Sequence, residues 1–346
     1  MDKYTLEMAR KHFSVLDYKH LNPDIHLAHP NLYINHFMTK GAQQGRLHSR
    51  KLLNIQTEFG RELILFIPYI YSLYQRNLLF PTAIISSFCG MRPFYYFLDE
   101  KQLNEKDDCR TSKMIQGLYF NHTDNLPLFN TKYWTPPPYK EVYYTPDAFQ
   151  YEKPLCIIQN KYNLEWKENP VNYINTDCLH RLFTLLENSY QIVYIRPHSA
   201  NDSQFGYSHD DNEEMELNDT EVLTQHPQVI PWNSLQEQHS QRGWNYNELK
   251  LRLFASCTNY ISVLGGNNYL NLYFAKKLLI LRRRKGDSGL YSGWYKQVAP
   301  DLNPELVVAN NWDDLEHQAR GLFIPSTCAE QQLESSAPNP TETPKP

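Results

Sequence analysis

Four groups of residues in the rear half of the chain are of the types that bind anions. Asn160-Lys161, Arg196-Pro197-His198 and Gly265-Gly266-Asn267-Asn268 each follow a short apolar run, and Arg282 opens a basic cluster after a fourth. Arg can meet a diphosphate with two parallel hydrogen bonds, and Lys meets it as a point charge. Paired glycines let backbone N–H groups approach an oxygen closely. His198 is a candidate base. If the apolar runs are parallel strands, all four groups share the rim of strand C-termini, which is the ligand side of such a sheet. Each group also has an ordinary reading: a bend that needs glycine, an arginine closing a strand end, a polar loop histidine, a solvated basic run. Neither G-x-G-x-x-G nor G-x-x-x-x-G-K-[ST] occurs. The pattern therefore indicates a turn facing a phosphate or sugar without naming the ligand.

The elements around these groups read as alternating strands and helices. Asn245 is a candidate N-cap for a helix carrying Tyr246, Leu249, Leu253 and Cys257. Tyr260–Leu264 reads as a strand, Tyr269–Lys277 as a second helical pattern and Leu278–Leu281 as a second strand, which makes a βαβ unit with the glycines in its first turn. Upstream, Leu155–Ile158 and Tyr190–Ile195 are strands flanking an amphipathic helix with Leu179, Leu182, Phe183 and Leu186. Residues 153–325 are thus expected to form a doubly wound domain. Residues 326–346, rich in Pro, Ser, Thr and Glu, are expected to be a disordered tail.

Residues 51–152 read as another α/β domain. It comprises a strand at Leu52–Ile55, a turn at Thr57–Glu62, an apolar helix over Leu63–Leu78 with Pro68 in its first turns, and a strand at Thr82–Ser86. From residue 100 to 152 the chain reads as irregular, with a connection through Pro136-Pro137-Pro138. Glu58 and Glu62 are candidate general bases, or else helix N-terminal carboxylates favoured by the dipole. Residues 1–50 read as a small helical module, with a turn at Asn22-Pro23-Asp24 and Gly41 as a helix-ending glycine.

At 346 residues, with 41% apolar and 14% aromatic content, the chain suits two domains of ordinary size. A net charge of −4 gives no basic footprint for nucleic acid. No apolar run reaches the roughly 20 residues that span a bilayer, and the start lacks the layout of a secretory signal. Six cysteines without C-x-x-C pairing read as reduced, mostly buried thiols, so a cytoplasmic chain is expected. Thirteen histidines include no H-E-x-x-H, so no metal site is read. Asp210-Asp211 lacks D-x-D spacing and reads as a solvated acidic loop, and G-x-S-x-G is absent.

Three sets of residues carry a resemblance. The pattern Asp-Tyr…Asn-Pro-Asp…His-Phe…Gly…Gly-Arg over Phe13–Arg46 resembles a short helical module often attached to glycosyltransferases. The Thr57–Glu62 turn is similar to the Gly-Leu-Gly-Asn-Gln or Gly-Leu-Gly-Asp-Glu turn that opens fucosyltransferase-like and heptosyltransferase-like GT-B enzymes. Gly60 and Glu62 match it, while Thr57 or Glu58 replaces its first glycine and Arg61 its Asn or Asp. Over residues 153–285, the ordered series Gln-Asn-Lys-Tyr-Asn, Tyr-Ile-Arg-Pro, Asn-Glu-Leu-Lys-Leu…Phe-Ala-Ser-Cys and Ile-Ser-Val-Leu-Gly-Gly-Asn resembles the donor-binding domain of GT-B glycosyltransferases. That resemblance implies two Rossmann-like domains facing a cleft, with residues 51–152 on the acceptor side. It implies a nucleotide-sugar donor whose diphosphate meets Arg196 and the Gly265–Asn268 turn, a glycan or glycoconjugate acceptor, and transfer without a bound metal. Two alternatives stand beside it. One is a non-catalytic carbohydrate-binding or scaffold protein on the same fold, favoured by the altered Thr57–Glu62 turn; the other is a nucleotide-binding enzyme of a different reaction class.

Overall fold

The computed structural model describes residues 13, 15, 18–19, 22–44, 46, 52–55, 57–77, 79, 83–106, 134–164, 169–197, 202–203, 214–284 and 304–324, with residues 52–54 described by their backbone. The chain divides into two compact units, Met1–Pro137 and Pro138–Pro346.

In the first unit, helix α1 (Pro30–His36) runs on into a π-helical turn, Phe37–Gly41. Tyr18, Tyr33 and Phe37 form its buried cluster. Gly41 is not a left-handed helix end, as its position in the sequence suggests; it is buried in the π turn, where any Cβ would collide with the Tyr18 hydroxyl. The Asn-Pro-Asp…Arg pattern has a structural explanation here. Arg46 grips Asp24 with both terminal nitrogens, at 2.8 and 2.7 Å, and Asn22 Nδ2 donates to the Tyr18 carbonyl.

Strands β1 (Leu52–Asn54), β2 (Ile84–Phe88) and β3 (Leu103–Lys106) form a parallel sheet in the order β1-β2-β3. β3 lies in the stretch read from sequence as irregular. Its Leu-Asn-Glu-Lys composition lacks an apolar run, and its sides are partly exposed, as befits an edge strand. The long helix between β1 and β2 is broken into α2 (Phe59–Arg61), a π turn (Glu62–Phe66) and α3 (Ile67–Gln75). Pro68 explains the break. It has no N–H for the Ile64 carbonyl four residues earlier, and the Trp134 indole N–H supplies that carbonyl instead at 2.8 Å.

The second unit begins with α4 (Tyr139–Tyr143) and continues through β4 (Leu155–Gln159), α5 (Thr176–Leu186), β5 (Gln191–Ile195), α6 (Asp219–Gln225), β6 (Ile230–Pro231) and α7 (Trp232–His239). It is completed by α8 (Tyr246–Ala255), β7 (Asn259–Val263), α9 (Asn268–Asn271), β8 (Lys277–Leu281), β9 (Glu305–Ala309) and α10 (Trp312–Phe323). The sequence reading starts this domain at residue 153. The units part at Pro137–Pro138 because α4, too short and aromatic to show a helical period, packs on α8 through Tyr139 and Tyr143, with the Tyr139 ring 5.0 Å from that of Tyr273.

All six strands are parallel, in the order β6-β5-β4-β7-β8-β9. Numbered within the unit this is 3-2-1-4-5-6, the Rossmann order, and the mixed α/β fold class expected from sequence is what the chain adopts. β4 is buried along its whole length and β5, β7 and β8 are buried beyond their first residue, which is why they read as continuous apolar runs. Alternate residues of the strands (Cys156, Ile158, Ile192, Tyr194, Ile261, Val263, Leu279 and Leu281) pack with α5 and α10 in one core. On the other face the Tyr260 hydroxyl donates to the Phe254 carbonyl of α8. Among the described residues no helix is long and apolar enough to cross a membrane.

Candidate functional site

In a 3-2-1-4-5-6 sheet the connections leave β4 and β7, which lie side by side, in opposite directions. The crevice at their C-terminal ends is the place where such folds bind ligands. Here it is formed by Gln159-Asn160-Lys161 after β4 and Leu264-Gly265-Gly266-Asn267-Asn268 after β7. The two segments touch. A Cβ placed on Gly265 would come within 2.9 Å of Lys161 Nζ, so the lysine lies against the glycine turn and its flexible end would have to shift for a side chain there. A cation and two glycines therefore meet at the switch point, residue types suited to a phosphate.

The turn is tight: Asn268 N–H donates to the Gly265 carbonyl and Tyr269 N–H to that of Gly266. The helix behind it, α9, has four residues where the sequence pattern suggests nine, Tyr269–Lys277. Its dipole adds little, because few peptide units align. Asn267 Oδ1 accepts from Lys250 Nζ at 3.0 Å. Asn268 is fully buried, and its Nδ2 has no protein partner; the same holds for Asn271 Oδ1 one turn on and for Gln159 Oε1 at the end of β4. Such atoms are not confined to this rim: Trp232 Nε1 and Gln236 Oε1 on α7 also lack a partner, so they do not by themselves mark a site.

Asn160 sits in the crevice as a structural clasp. Its Oδ1 accepts from the Lys161 and Ile174 N–H groups, and its Nδ2 donates to the Ile174 carbonyl and the Tyr194 hydroxyl, so all its hydrogen-bonding capacity is used internally. Arg196 lies on the same rim, one strand over, after β5. Its guanidinium forms a two-pronged pair with Asp219, Nε to Oδ2 at 2.6 Å and Nη2 to Oδ1 at 3.0 Å. Tyr194 also donates to Asp219, at 2.8 Å, and burial together with that carboxylate pushes the phenol well above its ordinary pKa. The clasp and the pair thus form one network running Asn160–Tyr194–Asp219–Arg196.

Arg282, after β8, donates from its backbone to the Ala309 carbonyl and from Nη2 to Asn310. Its neighbour Arg283 stacks over Trp312, 4.2 Å from the ring centroid. The basic run is in part a cover for α10. His198 and Asp210-Asp211 lie outside the described residues.

In the first unit, Glu58 is the half-buried N-cap residue of α2. Glu62 is fully buried, and its Oε1 accepts from the Ser87 hydroxyl at 2.5 Å and the Tyr95 hydroxyl at 2.7 Å. In this conformation it bridges β2 to the turn that follows and presents no surface to an acceptor.

Lys250 is the residue that sequence reasoning misses. It sits mid-helix in α8, 2% exposed, and burial lowers its pKa to about 8 against the opposing pull of Asp202. The signal was present: Lys250 falls between Leu249 and Leu251 on a helix buried on nearly every side. Lysines are rarely enclosed without a partner.

A cavity of about 540 Å³ lies elsewhere in this unit, between α5 and α6, lined by Asp177, His180, Arg181, Asn218, Glu221 and Gln225 among others. None of the candidate residues lines it. Among the described residues no cluster of three or more His, Cys, Asp or Glu side chains could hold a metal ion. The described cysteines, Cys89, Cys156, Cys178 and Cys257, are free thiols, and burial pushes Cys178 and Cys257 up to about 12.

No family model and no curated protein matches the sequence. Among solved structures, the chain is similar to one described as E. coli ADP-heptose lps heptosyltransferase II, with 12% sequence identity and a TM-score of 0.43 over 82% of this chain and 98% of that one.

Proposed function

We propose that this chain is a glycosyltransferase that holds the diphosphate of a nucleotide-sugar donor at the switch point of its second unit and passes the sugar to a glycan or glycoconjugate acceptor. The observation that carries this reading is the contact of Lys161 with the Gly265 turn, which joins a cation to close-approach backbone at the crevice of a Rossmann-ordered sheet. The ordered resemblance over residues 153–285 supports the donor class. In the reaction, negative charge builds on the departing diphosphate. Lys161 and the Gly265, Gly266 and Asn267 N–H groups of the turn stabilise that charge, the Asn268 N–H being used within the turn, and no metal ion is required. Of the candidate bases Glu58, Glu62 and His198, Glu62 first has to leave its two hydroxyl partners.

The enclosure of Glu62 favours a second reading, a carbohydrate-binding or scaffold protein on the same fold. Calorimetry with UDP-, GDP-, ADP- and CMP-linked sugars, followed by product detection in the presence of chelator, separates the two. Binding with transfer is the expected result. Binding without transfer favours the scaffold, and absence of nucleotide binding overturns the enzyme reading.

A further inference from the structure

The buried lysine beneath the glycine turn has a part in the site that its sequence position does not suggest. In its ammonium form Lys250 can only donate, and its Nζ does so to the amide oxygen of Asn267 at 3.0 Å. The ammonium lies in an aromatic setting, 5.5 Å from the Tyr246 ring centroid and 5.8 Å from that of Phe254. Among the described residues Asp202, itself fully buried, acts on it as a charge. The titratable groups on the helices packed against α8 are Tyr139, Lys140, Glu141 and Tyr143 on α4 and Glu237 and His239 on α7.

We propose that Lys250 is a positioning residue for the donor diphosphate: through Asn267 it fixes the Gly265–Asn268 turn in its anion-receiving form, and filling the turn with a diphosphate draws a proton onto Lys250. This rests on the reading of the turn as a nucleotide diphosphate site. The sign follows from charge. A buried amine that titrates near pH 8 is partly neutral there, and an anion bound close by favours its charged form, so its pKa rises on binding. Affinity is then highest below pH 8 and declines, by up to about tenfold per pH unit, as the free protein loses the proton.

The test is calorimetry of the full chain with UDP, GDP and ADP between pH 7 and 9, in pairs of buffers that differ in ionisation enthalpy. For the nucleotide that binds, the expected result is net proton uptake that grows from pH 7 through pH 8 and is greatest above pH 8, between the free and the raised pKa. In Lys250→Met the uptake disappears and affinity at pH 7 falls roughly tenfold, the effect of losing a charge-assisted contact. Nucleotide binding without proton uptake in the unmodified protein overturns this inference while leaving the donor site standing, and it needs no variant to fold. Absence of binding by all three nucleotides overturns both.

Discussion

The two sides of the switch point use their cations differently. On the β5 side, Arg196 is clamped by Asp219 in a two-pronged pair, and Tyr194 and Asn160 extend that pair into the core. On the β4–β7 side, Lys161 lies against a turn built of glycine, and Lys250 braces that turn from below. Both cations stand at strand ends on one rim. The difference lies in the neighbour: a buried carboxylate holds the arginine in a two-pronged pair, while the lysine's side chain runs along the glycine turn. A basic residue at a strand end is therefore only half a site; its partner determines what it does.

The sharpest break of this comparison is Asp219→Ala. If the β5 side is structural, it leaves Arg196 and the Tyr194 hydroxyl without their acceptor and costs about 2–4 kcal/mol in denaturant unfolding, with Arg196's partial exposure keeping the figure below that of a fully enclosed pair. A loss under half that size would mean the clamp is loose and Arg196 could turn to a ligand. Next is Lys161→Met. It should weaken binding of the preferred nucleotide diphosphate by about 1.5–3 kcal/mol while leaving the unfolding midpoint near that of the parent. Unchanged affinity would remove the cation from the site.

Gly265→Ala is subtler. The added Cβ meets the flexible end of Lys161, so stability changes by less than about 1 kcal/mol, yet the displaced ammonium lowers affinity about threefold to tenfold. A large stability loss with intact affinity would show that glycine serves the bend alone. Smallest is the effect of Arg196→Ala on nucleotide affinity, which should stay within about threefold because the guanidinium already has its carboxylate. A tenfold loss, with stability preserved, would reverse the comparison and make the β5 side the diphosphate site.

Much of the second unit is legible in its sequence, since burial on both faces of a parallel sheet leaves runs such as Leu155–Ile158 and Leu278–Leu281 that nothing else explains. Asn245 likewise announces its helix, accepting from the Glu248 N–H at 2.9 Å. β3 escaped notice because an edge strand of Leu-Asn-Glu-Lys carries no period, and the break between α2 and α3 depended on Trp134, some seventy positions from the carbonyl it supplies. The candidate site divides in the same way. Residue type and strand-end position marked out Lys161, Arg196 and Gly265, but only strand order brought Lys161 against Gly265 and Asp219 against Arg196.

Local pattern by itself determined the alternation of strand and helix, the caps and the glycine turn, because each depends on neighbours a few residues away. Tertiary structure alone decided which group each of these charges meets. Lys161 lies 104 positions before Gly265, and Lys250 reaches Asn267 only across the packing of a helix on a turn. A side chain's chemistry depends on the group it touches, and contacts over such separations are set by the order in which the strands assemble.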